Sequence, residues 1–459
     1  MPILIYLAIV IVLFIKDRKI RPMASGGLWI VLAWLIVIGT KPVSAWLGTD
    51  VGDSTIESYA EGDPLNRYAS FVLILVGIII LSRRPIVWNT VLSRNRWLFL
   101  LFLFWAISIA WSDYPFVSLK RLVKDLGNIV MVLIIATEQD PAQAMRAVFV
   151  RYAYLVLILS IGLIRHFSEY GRYYDMVDGS VSYSGIATNK NEFGCAVFVS
   201  GVFLIWDLLE RRKNIAKSGI FEIVSRVALL AMMVWCIHLA NSSTAMASLL
   251  ISVSILLLFQ LPFIRRRRRY AGFYALALAG LAMIVYAIPG VFESLLTALG
   301  RNATLSGRTE LWDGLLEVAR YPLLGDGYRS FWDGPGGQQM WKKYWFRPVQ
   351  AHNGYLETYL NGGFVGLAFL IAFLASTGRT LVAQFATGGN FAAFRFGIFA
   401  VALLYNWTEA MFNGTSLVWF MLLCASVTYR SQPGHSSVVR HVPANLSPSS
   451  EVPRYRVRG

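Results

Sequence analysis

His352 ends the longest polar interval of this chain and stands directly before an apolar segment. An imidazole at such a boundary can take a proton from a hydroxyl group, because it changes charge near neutral pH. Interfacial packing is the alternative role for a histidine in this position. Asn353 and Glu357 are spaced to share a helix face. On that face Glu357 can orient a neighbouring polar group or accept a hydrogen bond from a substrate.

The elements that must position these residues are apolar. The chain has 459 residues, of which 56% are hydrophobic and 15% are charged, and its mean hydropathy is +0.55. A water-soluble domain needs far more charged surface, so the composition predicts an all-α, polytopic integral membrane bundle. Its apolar runs predict about 12–13 transmembrane helices. They lie near 2–15, 27–46, 66–82, 97–111, 122–137, 147–164, 193–209, 221–240, 243–263, 271–289, 353–374, 391–409 and 414–429.

The basic residues fall mainly in short connections on one side of this alternation. Lys and Arg collect in cytoplasmic loops, so segments 16–22, 83–96, 210–217 and 264–269 indicate the cytoplasmic side. The interval before His352 then becomes one large periplasmic loop that contains short helices. One of these is predicted from Ser306 to Arg320, lying on the membrane surface with Trp312 at headgroup level. The N-terminus is predicted outside and the C-terminus inside.

Four regions follow from this topology. Residues 1–289 are the first part of the transmembrane bundle, with about ten spans, and residues 290–352 are the large periplasmic loop that bears the candidate catalytic groups. Residues 353–430 are the last spans of the bundle. Residues 431–459, rich in Ser, Pro, Val and Arg, are predicted to be a basic, disordered cytoplasmic tail. The net charge of +16 reports topology and not nucleic-acid binding, since no recognisable module accompanies it.

Several cations on the predicted outer side go against the topology rule. An anionic ligand would explain them, since the planar fork of arginine makes paired charge-assisted hydrogen bonds to a diphosphate. Ion pairs with nearby acids, or contacts with lipid phosphate, are the alternative. The cations are Arg121 and Lys124 at the mouth of one span, Lys190 at another, and Arg308 and Arg329 in the loop.

The sequence contains no convincing metal or cofactor motif. Its histidines lack ligand spacing, and no nucleotide-binding loop appears in a suitable context. We therefore expect no cofactor and no metal. The energy for a reaction would reside in the substrate, and a lipid-linked diphosphate sugar on the outer leaflet meets this requirement. The arginines would then stabilise the leaving diphosphate.

Five sequence blocks resemble the O-antigen ligase and polymerase superfamily of bacterial inner-membrane glycosyltransferases, most closely its exopolysaccharide-production, ExoQ-like branch. They are WSDYPFVSLKR (111–121), GIATNKNEFG (185–194), NSSTA (241–245), GRTELW (307–312) with PLLGDGYRSFW (322–332), and HNGYLETYLNGGFVGL (352–367). Together they cover most of residues 100–370, and the last two are the most specific. Ser243 stands where the family usually has Arg or Lys, so no anion-binding role is carried onto it.

The resemblance implies an all-helical bundle in the bacterial inner membrane that transfers a glycan from undecaprenyl diphosphate to an acceptor hydroxyl, without metal or nucleotide. In this family the histidine that His352 matches is the proposed base. The implied partners are the undecaprenyl-diphosphate-linked oligosaccharide donor, a glycan or lipid-linked acceptor, membrane lipids, and flippase and chain-length regulator proteins. The matching or predicted binding residues are Arg121, Arg308, Lys124, Lys190, Asn191, Arg329, Asn353 and Glu357.

We therefore expect a metal-independent polysaccharide polymerase that joins lipid-linked repeats at the periplasmic face. His352 would activate the acceptor hydroxyl, and Arg121 and Arg308 would stabilise the departing diphosphate. A ligase that moves finished glycan onto lipid A core is the alternative among enzymes. A transporter or flippase for the same lipid-linked sugars is the alternative of another class, and it should place polar or broken-helix groups near mid-membrane.

Overall fold

The computed structural model describes residues 2–20, 25–49, 63–174, 179–211, 220–267, 270, 308–387 and 390–429. The helices, numbered in chain order, are α1 (Pro2–Ile20), α2 (Gly27–Gly39), α3 (Val43–Leu47), α4 (Pro64–Ser82), α5 (Trp88–Arg94), α6 (Arg96–Ser108), α7 (Pro115–Ala136), α8 (Pro141–His166), α9 (Ser168–Gly171), α10 (Lys190–Arg211), α11 (Ile220–Ala240), α12 (Ser243–Leu258), α13 (Pro262–Arg266), α14 (Arg308–Val318), α15 (Pro335–Lys343), α16 (Gly354–Thr387), α17 (Asn390–Thr408) and α18 (Leu417–Ser426). A 3-10 turn, Ile109–Trp111, follows α6, and strands β1 (Arg172–Tyr174) and β2 (Val181–Tyr183) form an antiparallel hairpin. The helical fold class is confirmed.

Six described helices are long and apolar enough to cross a membrane, and a seventh span arises if α5 and α6, bent by 87°, count as one. The six are Pro64–Ser82, Pro141–His166, Lys190–Glu210, Ile223–Ala240, Gly354–Ala386 and Phe391–Thr408. Every predicted span has a helix at its position except 271–289, which lies outside the described residues together with 290–307 and the tail. A polytopic helical membrane protein is confirmed. The total of 12–13 spans and the four-region division stay predictions.

Contacts between distant segments define two ends of the bundle. At one end the Lys41 N–H donates to the Ile186 carbonyl at 3.0 Å. We call this the loop end, because the large loop lies there. At the opposite end the Arg84 guanidinium, which follows α4, binds Glu138, which follows α7. Segments predicted to share a side of the membrane therefore meet at the same end.

Aromatic stacking joins α10 to two neighbouring helices. Phe203 of α10 stacks on Phe149 of α8 with ring centroids 3.9 Å apart, and Trp206 stacks on Phe394 of α17 at 3.7 Å. Offset or parallel ring pairs of this kind add to the free energy of burial. Through them α8, α10 and α17 form one packed unit, which fixes the helix ends at which the polar residues stand.

Helix α16 is interrupted at Gly363, whose φ of 60° and ψ of −162° suit only glycine. The interruption frees backbone groups, and segment 322–327 of the large loop satisfies them. The hydrogen bonds run from Phe364 N–H to the Pro322 carbonyl (2.8 Å), Val365 N–H to Leu323 (3.1 Å), Asp326 N–H to Leu360 (3.0 Å) and Gly327 N–H to Asn361 (2.9 Å). Segment 322–327 of the loop is thereby hydrogen-bonded directly to the interrupted helix.

The described part of the loop also has a small core of its own. Leu311 and Leu315 of α14 are buried there with Phe331 and Met340. Trp312 donates its indole N–H to the Ala351 carbonyl at 2.8 Å. Trp312 itself is half-buried against this core, and its position at headgroup level stays a prediction. The predicted cap of this helix at residue 306 lies outside the described residues.

Candidate active site

One buried carboxylate joins two of the predicted site residues. His352 Nδ1 lies 3.1 Å from Glu409 Oε2, and Arg308 Nη2 lies 3.0 Å from Glu409 Oε1. The Glu409 side chain is 5% exposed and that of His352 is 30% exposed. With Nδ1 engaged, Nε2 is the ring nitrogen left for a reacting group. We call His352, Glu409 and Arg308 the Glu409 cluster.

The backbone that presents His352 is held from both sides. The Ala351 N–H donates to Glu357 Oε2 at 2.8 Å, while the Ala351 carbonyl accepts the Trp312 hydrogen bond. His352 itself has a φ of 50°. A residue with a side chain keeps this left-handed conformation only where its surroundings impose it. The position of the His352 backbone is therefore fixed by contacts with α14 and with Glu357.

Both polar residues of the first turn of α16 are engaged by the protein. Asn353 Oδ1 caps the helix, accepting from the N–H groups of Tyr355 and Leu356 at 3.0 and 3.1 Å. Glu357 is buried and also accepts from the Trp332 indole at 2.9 Å. In the structure these two predicted binding residues order the start of α16 and the loop around His352. Direct contact with a substrate stays a prediction for both.

Arg121, far away in sequence, faces the loop. Its guanidinium donates to the carboxylate of Asp333 and to the backbone carbonyl of Arg329. Asp333 is only 3% exposed. The charge of Arg121 is thus balanced by a buried acid, and its guanidinium fixes the loop segment that carries Arg329. Ion pairing, the alternative raised for these cations, also applies to Arg320, which contacts Asp113 at 2.5 Å.

One helical turn further along α7, Asp125 binds two loops. It is 1% exposed and accepts from the Tyr328 hydroxyl and from the Gly414 N–H, the latter at 2.9 Å. Burial, with the nearby Asp125 carboxylate, raises the pKa of Tyr328 well above its usual value, so the phenol stays a donor. The Arg329 guanidinium lies over Gly414, 3.2 Å from where a Cβ would stand. Lys124 is half-buried, within electrostatic range of Arg329.

Lys190 and Asn191 occupy the first turn of α10 at the loop end. The Lys190 N–H donates to the Tyr173 hydroxyl at 3.2 Å, which ties this turn to β1. Phe198, two turns further along α10, stacks on Tyr405 near the end of α17, at 5.7 Å. Lys190 and Asn191 thus stand at the same end of the bundle as Glu409.

Two acids of this site were missed by reasoning from the sequence. Glu409 closes an apolar span, and Asp333 sits in a glycine-rich stretch. A single carboxylate at the end of an otherwise apolar segment is costly unless it is paired, and this was the available signal for Glu409. The chain gives no local indication of which cation it pairs with. No group of three or more His, Cys, Asp or Glu side chains suited to a metal occurs among the residues that the structure describes.

The fold and site define a polytopic helical membrane protein with a polar, cation-rich centre at one end of its bundle. Comparison with known proteins shows what the chain is similar to. Residues 228–371 match a family model described as O-antigen ligase, a range that includes His352, Arg308 and Arg329. The chain is also 26% identical over 320 residues to the exopolysaccharide production protein ExoQ of Rhizobium meliloti (strain 1021), covering 65% of this chain and 67% of that protein. These matches support a relationship to the O-antigen ligase and polymerase superfamily, on its ExoQ-like side, and so confirm the resemblance carried by the motifs.

Proposed function

We propose that this protein is a polysaccharide polymerase that joins undecaprenyl-diphosphate-linked oligosaccharide repeats at the periplasmic face of the inner membrane. The family and the relative support an O-antigen ligase or polymerase type of function in exopolysaccharide synthesis. The observation that carries the finer proposal is the Glu409 cluster, in which one carboxylate holds both a histidine and an arginine.

In the proposed reaction His352 is the general base. With its Nδ1–H donated to Glu409, the Nε2 lone pair takes the proton of the acceptor hydroxyl as the acceptor oxygen attacks the anomeric carbon of the donor. The bond from that carbon to the diphosphate oxygen breaks. Undecaprenyl diphosphate leaves with the bonding electron pair, and the proton on His352 passes to solvent. Glu409 stabilises the imidazolium that forms and keeps the ring in position.

The developing charge on the diphosphate requires cations. Arg308 is suited to this role, because its guanidinium is partly exposed and stands beside His352 across the Glu409 carboxylate. Arg329 and Lys124 form a second cationic position, ordered by Asp125 and by the contact of Arg121 with the Arg329 backbone. We assign Arg121 to holding the loop, since Asp333 and the loop carbonyl already engage its guanidinium.

A ligase that transfers finished glycan to lipid A core uses the same donor and the same chemistry, so the site alone favours neither enzyme. A transporter is the remaining alternative. The interruption of α16 at Gly363 is the broken-helix feature expected of one. Its free backbone groups, however, bind the large loop and do not line a path between the two ends. This contact favours an enzyme whose loop is fixed in place.

The test is to replace His352 with Ala in cells and analyse their glycans. Loss of a polymerase leaves single repeats still exported, whereas loss of a ligase leaves full-length polymer on its carrier. Unchanged chain lengths would contradict the assignment of His352 as the base. Replacing Arg308 with Lys keeps the charge but removes the planar fork, so unimpaired activity of that variant would contradict the diphosphate contact.

A further inference from the structure

An aromatic pair stands exposed on the loop, away from its core. Trp345 is 72% exposed and Phe346 is 51% exposed, and their rings lie 6.0 Å apart at 87°. Exposed Lys342 and Arg347 flank the pair. We call the segment Lys342–Arg347, which overlaps the end of α15, the aromatic tip. Large aromatic side chains so exposed mark a surface that contacts something else.

The aromatic tip is held in shape by the rest of the loop. The Trp341 indole N–H donates to the Pro348 carbonyl at 2.7 Å and closes the segment at its base. The Tyr344 hydroxyl donates to the Glu310 carbonyl at 2.9 Å. Arg347 has a φ of 44°, a left-handed conformation that a side-chain-bearing residue adopts at a cost. A strained and fixed backbone thus presents the two rings, as expected of a binding surface.

The aromatic tip also lies close to the Glu409 cluster. Glu310, its contact on α14, belongs to the same first turn as Arg308. From Arg347 the chain needs only the residues up to His352 to reach the imidazole, a stretch of about 18 Å when fully extended. The aromatic tip is therefore within reach of a glycan chain bound at His352.

The chemistry of the tip defines its ligand. Aromatic faces pack on the apolar faces of sugar rings, and Arg and Lys form charge-assisted hydrogen bonds with carboxylates. We propose that the aromatic tip binds an acidic glycan, the chain that enters or leaves the Glu409 cluster. The identity of that chain rests on the proposed function. A contact with membrane lipid would use similar residue types, but the contact with the first turn of α14 places the tip beside the site and favours the glycan.

The test uses the full chain in lipid nanodiscs at low salt, with an oligogalacturonate as the acidic probe and a maltooligosaccharide of equal length as the neutral one. Trp345→Ala should weaken binding of both probes about tenfold, since stacking is lost; this corresponds to about 1.4 kcal/mol. Lys342→Gln combined with Arg347→Gln should weaken only the acidic probe. Matched controls at the opposite end, Trp88→Ala and Arg94→Gln, should bind both probes as the unaltered protein does.

Three results would overturn the proposal. The unaltered protein could fail to bind the acidic probe, or it could bind both probes with equal affinity. Alternatively, the tip variants could bind the probes as tightly as the unaltered protein does. A lipid contact is detected separately, by comparing fluorescence quenching in brominated-lipid nanodiscs between the unaltered protein and Trp345→Phe. Because the other tryptophans are quenched as well, the readout is the difference between the two proteins: a quenched component that Trp345→Phe lacks assigns Trp345 to lipid and contradicts glycan binding.

Failure of this proposal and failure of the proposed function give different results. In cells, tip variants should shorten the polymer while still joining repeats, whereas His352→Ala should stop joining. If His352→Ala leaves the glycans unchanged but Trp345→Ala loses probe binding, only the proposed function fails. If His352→Ala stops joining but the tip variants bind and polymerise normally, only the aromatic tip proposal fails.

Discussion

Replacing Glu409 with Gln removes the one charge shared by the two proposed catalytic groups. The amide is nearly isosteric with the carboxylate, so the packing around the end of α17 should persist. What is lost is the charge-assisted contact at His352 Nδ1, 3.1 Å away, and the ion pair to Arg308, 3.0 Å away. The imidazolium that forms during the reaction then loses the anion that contacts its Nδ1.

The size of the effect follows from these contacts. A hydrogen bond to a charged group contributes about 1.5–3 kcal/mol, and each 1.4 kcal/mol changes a rate about tenfold. Loss of the His352 contact alone should therefore slow joining about 10- to 100-fold. Arg308, 18% exposed in its present pairing, also loses its partner. It is then free to move, so affinity for the lipid-linked donor should change as well.

The assay is the rate of glycan joining by purified protein supplied with a lipid-linked oligosaccharide. Glu138→Gln is the matched control, because Glu138 is similarly buried at 8% exposed and pairs with Arg84, 17% exposed, at the opposite end. Both variants should lose a similar amount of thermal stability, and only Glu409→Gln should lose turnover. Equal rates for the two variants would refute the role of Glu409.

Three further predictions concern residues that position the cluster. Arg121→Gln and Asp333→Asn, combined in a double-mutant cycle, should show a coupling of about 1–3 kcal/mol in stability; independent effects would mean that Arg121 acts on something other than the loop. Gly363→Ala should make the loop more sensitive to limited proteolysis, because the added Cβ would stand 2.2 Å from the loop backbone. Gly378→Ala is the control, since the nearest atom to its Cβ would be 3.3 Å away. Equal cleavage of the two variants would contradict the attachment of the loop to α16. Glu357→Gln should lower kcat with little change in the KM for the donor, because the Glu357 carboxylate binds the Ala351 N–H, directly before His352, and does not contact the diphosphate in the proposed reaction. A change confined to KM would indicate a direct contact of Glu357 with the substrate.

The helical class, and a helix at most of the predicted positions, could be predicted from the sequence because apolar length alone determines them. His352 and Arg308 could be selected as candidates, since both are polar residues that topology places in one loop, and the fold brings both to Glu409. The interruption of α16 was not foreseen. Residues 353–374 read as one apolar span, and the Gly362-Gly363 pair within it signals a weak point but not the loop segment that would satisfy the freed backbone groups.

The partners of the charged residues were harder to predict, because a pairing depends on the packing of distant helices. Asp333 lies 212 positions after Arg121 in the sequence, and Glu409 lies 57 positions after His352. Composition showed that the cations need anions. The fold alone decided that protein carboxylates meet Arg121 and Arg308. For Arg121 this contact is the reason for the proposed loop anchor, and the diphosphate contact expected from the sequence stays a prediction.

His352 is proposed to act as the base when two lipid-linked glycans are joined. The most direct measurement supplies purified protein in nanodiscs with a single lipid-diphosphate-linked repeat, without nucleotide, and follows lipid-linked products by mass spectrometry. We expect lipid-linked dimers and longer chains together with released lipid diphosphate, and a rate about 10²- to 10⁴-fold lower for His352→Ala. Joining at an undiminished rate by His352→Ala, or transfer only to an acceptor that carries no lipid diphosphate, would contradict this proposal.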